Sequence, residues 1–341
     1  MKRPQITVIG GGLAGSEAAW QVLRSGLSVT LVEARPAVQS PAHQTLLLGE
    51  LVCSNSFRSD APETASGLLK RELRRAGSLI LEVADATRVP AGTALAVDRN
   101  AFSWTVTSRL LQQRALRLDR RVTEQLPGDG PCILASGPLT SAGLSAELKR
   151  QVGAGLFFYD AIAPILEASW IDWSQVFRGA RRDPANRDYV NCPIDRGQYD
   201  RLIEALRTAT QVVPHPFEQQ RFFEGCLPLE VMAARGDDVL AHGPLRPVGL
   251  VDPRTERRPY AVVQLRAENE GGTCFNMVGF QTRLIQQEQR RVFRLIPGLE
   301  RCRFLRYGSI HRNTYLDAPS LVGPDFELLS RPELRFAGLL L

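Results

Sequence analysis

Two of the six cysteines stand in surroundings where a thiol could act as a nucleophile. Cys53 lies in the Ser- and Asn-rich stretch ELVCSNSFRS, and Cys226 lies in FFEGCLPLE, between a glycine and a proline. A thiol reacts as the thiolate, which nearby positive charge or a helix N-terminus stabilises. The alternative for any single cysteine is a buried side chain that only packs in the core. The loop-like surroundings weaken that alternative without overturning it.

His311 is the one histidine that we single out, in the stretch RYGSIHRNT. Its alternative role is that of a hydrogen-bonded structural histidine. The other histidines, His43, His215 and His242, have no Cys or Asp partner at metal-ligand spacing, and the cysteines form no CxxC pair. We therefore predict no metal site.

An arginine-rich segment, residues 283–312, carries eight arginines against Glu288 and Glu300, with Phe and Tyr residues interleaved. Guanidinium groups bind phosphates through two parallel hydrogen bonds, and aromatic rings can stack on bases. A solvated basic face is the alternative. The whole chain has a net charge of +6 and a pI near 9.2, which is a modest hint of an acidic partner.

The element that must position these groups begins at the N-terminus. Ile6 to Ile9 is a short apolar run typical of a buried parallel strand, and a helical pattern follows the glycines directly. A second strand pattern, residues 27–33, ends at Glu33. The glycine motif between strand and helix reads Gly10, Gly11, Gly12, Leu13, Ala14, Gly15. This order predicts a site for a dinucleotide pyrophosphate, with Glu33 on a ribose, and leaves FAD and NAD both open.

Other patterns place a second strand end near that site. Residues 131–139 read as a buried strand that ends at Ser136 and Gly137, although an ordinary strand terminus is the alternative. We predict helices over 67–86, with leucines on one face and basic residues on the other, and over 102–116. A turn region is expected at 89–99 and a last strand at 334–338. The cysteine at position 53 falls in a long loop, 36–67, that should lie over the cofactor.

The 341 residues suffice for one large or two ordinary domains. From about residue 155 to 275 aromatic residues cluster and prolines punctuate short segments, which favours an inserted mixed α/β substrate domain. We predict three parts: 1–150 and 276–341 in a dinucleotide-binding domain, and 151–275 inserted between them. No apolar run reaches the length of a membrane span and no signal peptide is recognisable, so we expect a cytoplasmic protein without a membrane partner.

Several stretches together resemble the folate- and flavin-dependent tRNA (uracil-5-)-methyltransferases, the TrmFO family. They run in order along almost the whole chain, and the two cysteine motifs are far more specific than the glycine motif. They include VIGGGLAGSEAA, ELVCSNSFRSD, VPAGTALAVDR, FEGCLPLEVMAARG, GPLRPVGLVDPRT and RYGSIHRNTYLDAP. The resemblance implies an α/β fold: a FAD-binding Rossmann-like domain of the GidA and glutathione-reductase type with a smaller inserted α/β substrate domain.

The resemblance also implies a reaction. Methylenetetrahydrofolate would supply a one-carbon unit, reduced FAD the electrons, and NADH or NADPH would reduce the flavin, giving 5-methyluridine in the T loop of tRNA. By motif, Cys226 matches the thiolate that adds to uracil C6, and Cys53 matches a second functional cysteine next to the flavin. Their division of labour stays open. His311 would lie near the folate, and residues 283–312 would belong to the tRNA face.

One departure concerns the C-terminus. Family members continue past the equivalent of Phe336-Ala337-Gly338 into a second glycine-rich turn, whereas this chain reads Leu339-Leu340-Leu341. We therefore expect a truncated chain. The alternatives are an inactive remnant or RNA-binding flavoprotein, a related flavoprotein that modifies wobble uridines, and an rRNA uridine methyltransferase. The sequence leaves monomer and dimer open.

Overall fold

The computed structural model describes residues 5–40, 42–153, 156–181, 183, 185–212 and 227–340, with the backbone alone for 156–160 and 311–314. The strands are β1 Gln5–Ile9, β2 Ser28–Glu33, β3 Ser56–Ser59, β4 Arg88–Val89, β5 Ala94–Val97, β6 Leu116–Arg120, β7 Cys132–Leu134, β8 Leu156–Ile162, β9 Ile165–Glu167, β10 Phe177–Arg178, β11 Tyr189–Ile194, β12 Ala261–Ala267, β13 Cys274–Met277, β14 Phe304–Arg306, β15 Ser309–Tyr315, β16 Glu327–Leu328 and β17 Arg331–Phe336. The helices are α1 Leu13–Arg24, α2 Ala65–Arg75, α3 Leu79–Ala86, α4 Arg99–Leu111, α5 Ala142–Val152, α6 Arg196–Thr208, α7 Leu229–Ala234, α8 Val239–His242, α9 Gln286–Phe293 and α10 Ala318–Leu321.

The first sheet has six strands in the order β16-β17-β7-β1-β2-β6, and all its pairs except β16 with β17 are parallel. Its central strands are apolar because both faces are covered: Val8, Val29 and Leu31 are fully buried. The predicted strands ending at Ile9 and Glu33, the strand before Ser136 and the last strand are all confirmed. The predicted α/β fold class is confirmed with them.

Two local predictions are wrong, and a third element, the helix predicted over 102–116, is confirmed with different bounds. The helix over 67–86 is two helices, because the chain turns at Gly77 with φ +72° and restarts behind a Ser78 cap. The turn region 89–99 contains β5, which pairs with β3 and β4 in a three-stranded sheet. The helix over 102–116 begins at Arg99 behind an Asp98 cap and ends at Leu111, before β6.

Helix α2 turns its basic side inward. Lys70 is buried and its ammonium donates to the Ser59 and Ser66 carbonyls, while Arg74 forms ion pairs with Asp60 and Asp85. The leucines on the opposite side, Leu68, Leu69 and Leu73, are exposed. Amphipathic spacing identified the helix but not which face packs, since paired and hydrogen-bonded charges can be buried as well as leucines.

The second sheet is antiparallel, in the order β10-β11-β12-β13-β9-β14, and every residue of β12 is buried. Helix α6 packs on it through Tyr199, Leu202 and Leu206. Because this sheet includes Phe304–Arg306, it draws on chain from both sides of residue 275, and the predicted boundaries at 150 and 275 stay predictions. Strands β8 and β15 form a separate antiparallel pair. In the part of the chain that the structure describes, no helix is long and apolar enough to cross a membrane.

Candidate functional site

The turn between β1 and α1 is packed so tightly that a side chain on Gly10 or Gly15 would overlap neighbouring backbone atoms. Gly10 has φ +105°, and a Cβ there would lie 2.4 Å from the Ala135 carbonyl oxygen. A Cβ on Gly15 would lie 1.7 Å from the Gly10 carbonyl oxygen. The end of β1 therefore touches the chain after β7 on one side and α1 on the other. This is the close helix–strand packing that the glycine spacing predicts.

Gly12 differs from its neighbours because its Cβ position opens on empty space, with no heavy atom within 4 Å. It caps α1, and within the described residues neither a side-chain cap nor an acidic residue occupies the first turn. Leu13 and Ala14 follow as its first helical residues. A helix N-terminus presents N–H groups and partial positive charge, so this open end fits the pyrophosphate of a dinucleotide.

Glu33 lies beside the turn at the end of β2. One carboxylate oxygen accepts from the Gly11 N–H at 2.8 Å, and the other accepts from Arg35 Nε at 2.9 Å. Burial works to raise the pKa of this carboxyl, but the hydrogen bonds and charge of Arg35 outweigh it, so the pKa lies below its ordinary value. Glu33 is thus held ionised, and its remaining lone pairs suit a ribose hydroxyl.

Ser136 and Gly137 stand at the end of β7, next to the glycine turn. Gly137 has φ +69°, and the Ser136 hydroxyl shares a 2.8 Å hydrogen bond with Thr140. Gly338, at the end of β17, also approaches, since a Cβ there would lie 2.7 Å from Ala14 Cβ. The carboxyl ends of three parallel strands therefore meet at one edge, which is where open α/β sheets bind ligands.

The loop that carries Cys53 packs on the glycine turn. The Gly49 N–H donates to the Gly11 carbonyl at 2.8 Å, and Leu48 Cδ2 would lie 2.5 Å from a Cβ on Gly11. Cys53 itself is half-buried. The expectation that this loop lies near the cofactor site agrees with these contacts, although the role of Cys53 stays a prediction.

Three arginines hold the residues on either side of Cys53. Arg99 donates to the Leu51 carbonyl, and Arg306 donates to the Val52 carbonyl at 3.0 Å. Arg266 donates through Nε to Asn55 Oδ1 at 2.9 Å and through Nη2 to Ser54 Oγ at 2.8 Å. Asn55 is fully buried, and its amide donates to the carbonyls of Val97 and Ala267. The Cys53 loop is therefore fixed by helix α4, by the three-stranded sheet at Val97 and by the second sheet.

The remaining described cysteines have different surroundings. Cys132, Cys192 and Cys302 are buried. Burial raises the pKa of Cys132 and of Cys302 to about 11, and raises the pKa of Cys192 further. These three thiols stay protonated at neutral pH and pack in the hydrophobic cores. They are thus the purely structural cysteines that the sequence analysis gives as the alternative to a reactive thiol.

Cys226 and the side chain of His311 lie outside the described residues, so their predicted roles stay predictions. The chain directly after Cys226 is well anchored. The Leu229 N–H donates to the Gln281 carbonyl, and the buried Glu230 accepts from Thr282 Oγ1 at 3.0 Å and from the Arg283 N–H at 2.8 Å. Burial raises the pKa of Glu230. The backbone of His311 pairs with Asp160 in β15 and β8.

The described arginine side chains of the arginine-rich segment divide into two groups, and the side chain of Arg312 lies outside the described residues. Arg306 and Arg283 are half-buried and face the Cys53 loop and Glu230 respectively. The exposed members are Arg290, Arg291, Arg294, Arg301 and Arg303. The segment is therefore partly internal, and only its exposed part is available to an RNA backbone. Among the described residues, no group of three His, Cys, Asp or Glu side chains could hold a metal ion.

Sequence reasoning missed the side chains that support the site. Arg35 bridges Glu33 and Glu50 at 2.9 and 3.0 Å, and all three are buried. Arg99 pairs with Glu268 at 2.9 Å. Glu50 is the first residue of the ELVCSNS stretch, and this motif is the only feature of the sequence that could have marked Glu50 as part of the site. Nothing in their spacing marks Arg35, Arg99 or Glu268 as members of one network.

Together, the parallel sheet, the glycine turn and the ionised Glu33 define a Rossmann-like α/β protein of the dinucleotide-binding type, with a second, antiparallel sheet. A family profile described as glucose inhibited division protein A matches residues 5–340. Two solved structures of GidA from Aquifex aeolicus share the fold. They have TM-scores of 0.74 and 0.72, are 15% identical, and are matched over 99% and 98% of this chain and 60% and 62% of theirs.

Curated relatives give a closer match. The methylenetetrahydrofolate--tRNA-(uracil-5-)-methyltransferase TrmFO of Myxococcus xanthus is 55% identical over 99% of this chain and 74% of its own length. The TrmFO protein of Geobacter sulfurreducens is 54% identical over 98% of this chain and 77% of its own length. The chain belongs to the TrmFO family, and it spans about three-quarters of the length of these relatives.

Proposed function

We propose that this chain catalyses the methylenetetrahydrofolate-dependent methylation of uracil C5 in tRNA, with FAD bound at the glycine turn and NADH or NADPH as reductant. The observation that carries the proposal is the 55% identity over almost the whole chain to a relative named for this reaction. The structure adds that the Cys53 loop packs directly on the glycine turn through Gly49 and Gly11. A functional thiol beside the cofactor fits a flavin-dependent transfer.

The residues present fit FAD. The open N-terminus of α1 at Gly12 would hold the pyrophosphate, and Glu33 would accept hydrogen bonds from the ribose of the adenosine half. The strand ends at Ser136 and Gly137 would border the remainder of the cofactor. When bound and reduced by NADH or NADPH, the flavin would supply the hydride that replaces the bond between the transferred methylene and its carrier and so completes the methyl group.

Cys226 would act on the substrate. Uracil C5 is a weak carbon nucleophile, and addition of the Cys226 thiolate to C6 forms an S–C6 bond and moves the C5–C6 π electrons into an enolate. The carbon C5 can then attack an electrophilic one-carbon unit. Removal of the C5 proton by a base and cleavage of the S–C6 bond restore the aromatic ring and release the thiolate. Cys53 would serve beside the cofactor, either as that base or as a guard of the one-carbon unit.

The exposed arginines of the segment around α9 support an RNA partner. Arg290 and Arg291 lie in the last turn of α9, and Arg301 and Arg303 follow it on the surface. Guanidinium groups in such positions bind phosphates, and a T-loop uridine has to be unstacked before its ring can be reached. A cytoplasmic location stays a prediction, and monomer and dimer stay open.

The test uses the purified chain with unmodified tRNA, FAD, methylenetetrahydrofolate and either nicotinamide cofactor, and it quantifies 5-methyluridine by mass spectrometry of nucleosides. We expect 5-methyluridine in the T loop. Cys226→Ala should abolish it while bound flavin is retained, and Cys274→Ala, a half-buried thiol of β13, is the matched control that should remain active. A flavin-containing protein that forms no 5-methyluridine, or one that modifies the anticodon instead, contradicts the proposal.

A further inference from the structure

The residues that flank Cys53 are held by two guanidinium groups from the second sheet. Arg266 belongs to β12 and contacts Ser54 and Asn55, the two residues after the cysteine. Arg306 belongs to β14 and contacts the carbonyl of Val52, the residue before it. The cysteine is therefore bracketed on both sides by positive charges that come from another sheet, more than 200 residues away in the sequence.

These two guanidinium groups are unusual in what they contact. Arg266 is 7% exposed, and its hydrogen bonds go to a hydroxyl and an amide oxygen. Arg306 is half-buried and donates to the carbonyls of Val52 and Ala42. In the described part of the chain, every hydrogen-bond partner of both groups is neutral. Glu268 works to raise the pKa of Arg266 through its charge, and Glu50 and Glu268 do the same for Arg306, but burial outweighs them in both cases. Burying a cation whose hydrogen-bond partners are neutral costs free energy, so these positions are poor ones for fold stability alone.

The other charges around the loop largely cancel. Arg99 of α4 forms a two-pronged ion pair with Glu268 of β12. Arg35 pairs with both Glu33 and Glu50. Glu33 and Glu50 together carry one negative charge more than Arg35 balances. The two positive charges of Arg266 and Arg306 exceed this single negative charge.

His43 also stands in this region, but it adds little charge. Burial and the charge of Arg35 lower its pKa, so it is neutral at neutral pH. Burial likewise lowers the pKa of Arg266 and of Arg306, and for Arg306 the neighbouring Cys53 acts in the opposite direction. The charge of Arg306 and that of the Cys53 thiolate therefore favour each other.

We propose that Arg266 and Arg306 are positioning residues that fix Cys53 in a positively charged setting, so that it acts as a thiolate. A positive charge close to a thiol favours the thiolate, and hydrogen bonds to the adjoining residues keep the sulfur in one place. Only a thiolate can take up a proton from the substrate. This role in methylation rests on the proposed function, whereas the state of the thiol can be measured without any turnover.

The experiment measures the rate at which iodoacetamide alkylates Cys53 in the full chain as a function of pH, read by peptide mass spectrometry. The variants are Arg266→Gln and Arg306→Gln, with Arg303→Gln as the matched control because Arg303 is exposed and pairs with Glu167 on the surface. We expect the pH midpoint of alkylation to rise by about one unit or more in both variants and to stay unchanged in the control. Midpoints equal to the unmodified chain in both folded variants would overturn the proposal.

Two further readouts keep the result decisive. The variants Arg266→Lys and Arg306→Lys retain the positive charge, so the pH midpoint of Cys53 alkylation in each should match that of the parent chain. If the glutamine variants do not fold, the lysine variants decide the test. A raised midpoint in the lysine variants would then count against the proposal. In the methylation assay the glutamine variants should lose on the order of a hundredfold in kcat with little change in KM for tRNA. An inactive parent chain with the predicted alkylation profile would refute the proposed function and leave this inference standing.

Discussion

The glycine turn and the Cys53 loop pack against each other, but they are held by different kinds of contact. The turn is made by backbone atoms and by Glu33, which is 22 residues from its partner Gly11. The loop depends on Arg266, which is 211 residues from Asn55, and on Arg306, which is 254 residues from Val52. One half of the site is therefore a local feature of the sequence, and the other half exists only once two sheets have come together.

The largest effect is expected at the turn itself. Gly15→Val places side-chain carbon where the Gly10 carbonyl oxygen lies 1.7 Å from the Cβ position, so strand and helix have to separate. We expect a loss of about 3 kcal/mol or more in the free energy of unfolding, together with loss of bound flavin. Urea unfolding and flavin absorbance measure the two effects. Gly128→Ala, whose Cβ meets nothing within 4 Å, is the control and should behave like the parent chain.

The next effect is expected at the inter-sheet contact. Asn55→Ala removes hydrogen bonds to Val97, Ala267 and Arg266 and leaves buried polar atoms without partners. We expect a loss of about 2 kcal/mol in the free energy of unfolding, with bound flavin retained, because the glycine turn is untouched. The exposed Asn100→Ala is the matched control. A variant that loses flavin before it loses stability would show that the two regions are not built separately.

Glu33 provides a pH-dependent comparison. Its folded pKa lies below the ordinary value of 4.5, so its contribution to stability is present above pH 4.5 and is lost as the pH falls through the folded pKa. Glu33→Gln should flatten the acid side of the stability curve measured by thermal unfolding. An unchanged acid limb in this variant would mean that the Arg35 pair does not contribute to the stability of the turn.

The smallest effect is expected for a surface arginine. Arg303→Gln removes an exposed pair with Glu167 at 3.4 Å, and such pairs contribute less than about 1 kcal/mol. The free energy of unfolding should stay close to that of the parent chain, whereas KM for tRNA in the methylation assay should rise modestly, because the proposed function places Arg303 on the tRNA face. An unchanged KM for tRNA would show that Arg303 does not contact the RNA.

The difference between contacts that are local in the sequence and contacts between distant elements also explains which features the sequence predicts. The strands at 5–9 and 28–33, Gly10, Gly15 and Glu33 follow from periodicity and spacing, since their partners are near in sequence. Helix α2 was recognised, but its buried side was not, because Lys70 and Arg74 find polar partners in other elements. The two-helix break at Gly77 was missed because leucines on both sides share one helical period.

The supporting side chains of Cys53 lie beyond this kind of reasoning. Arg266 lies in a strand whose other residues are apolar except Gln264, and Arg306 lies in a basic segment that suggests an RNA surface. Neither pattern indicates a contact with residues 52–55. Both reach the loop only because β12 and β14 belong to the same sheet, in which β13 and β9 lie between them. The family resemblance indicates both cysteines. The structure shows which side chains hold the residues around Cys53.

The most direct test of the account asks whether the glycine turn and Cys53 form a single cofactor site. The rate of Cys53 alkylation is measured in the full chain with and without saturating FAD, with Cys274, a half-buried thiol of the second sheet, as the internal reference. We predict that FAD slows the alkylation of Cys53 by about tenfold or more, corresponding to about 1.4 kcal/mol of protection, and leaves Cys274 unchanged. A Cys53 rate that does not respond to FAD would contradict the account.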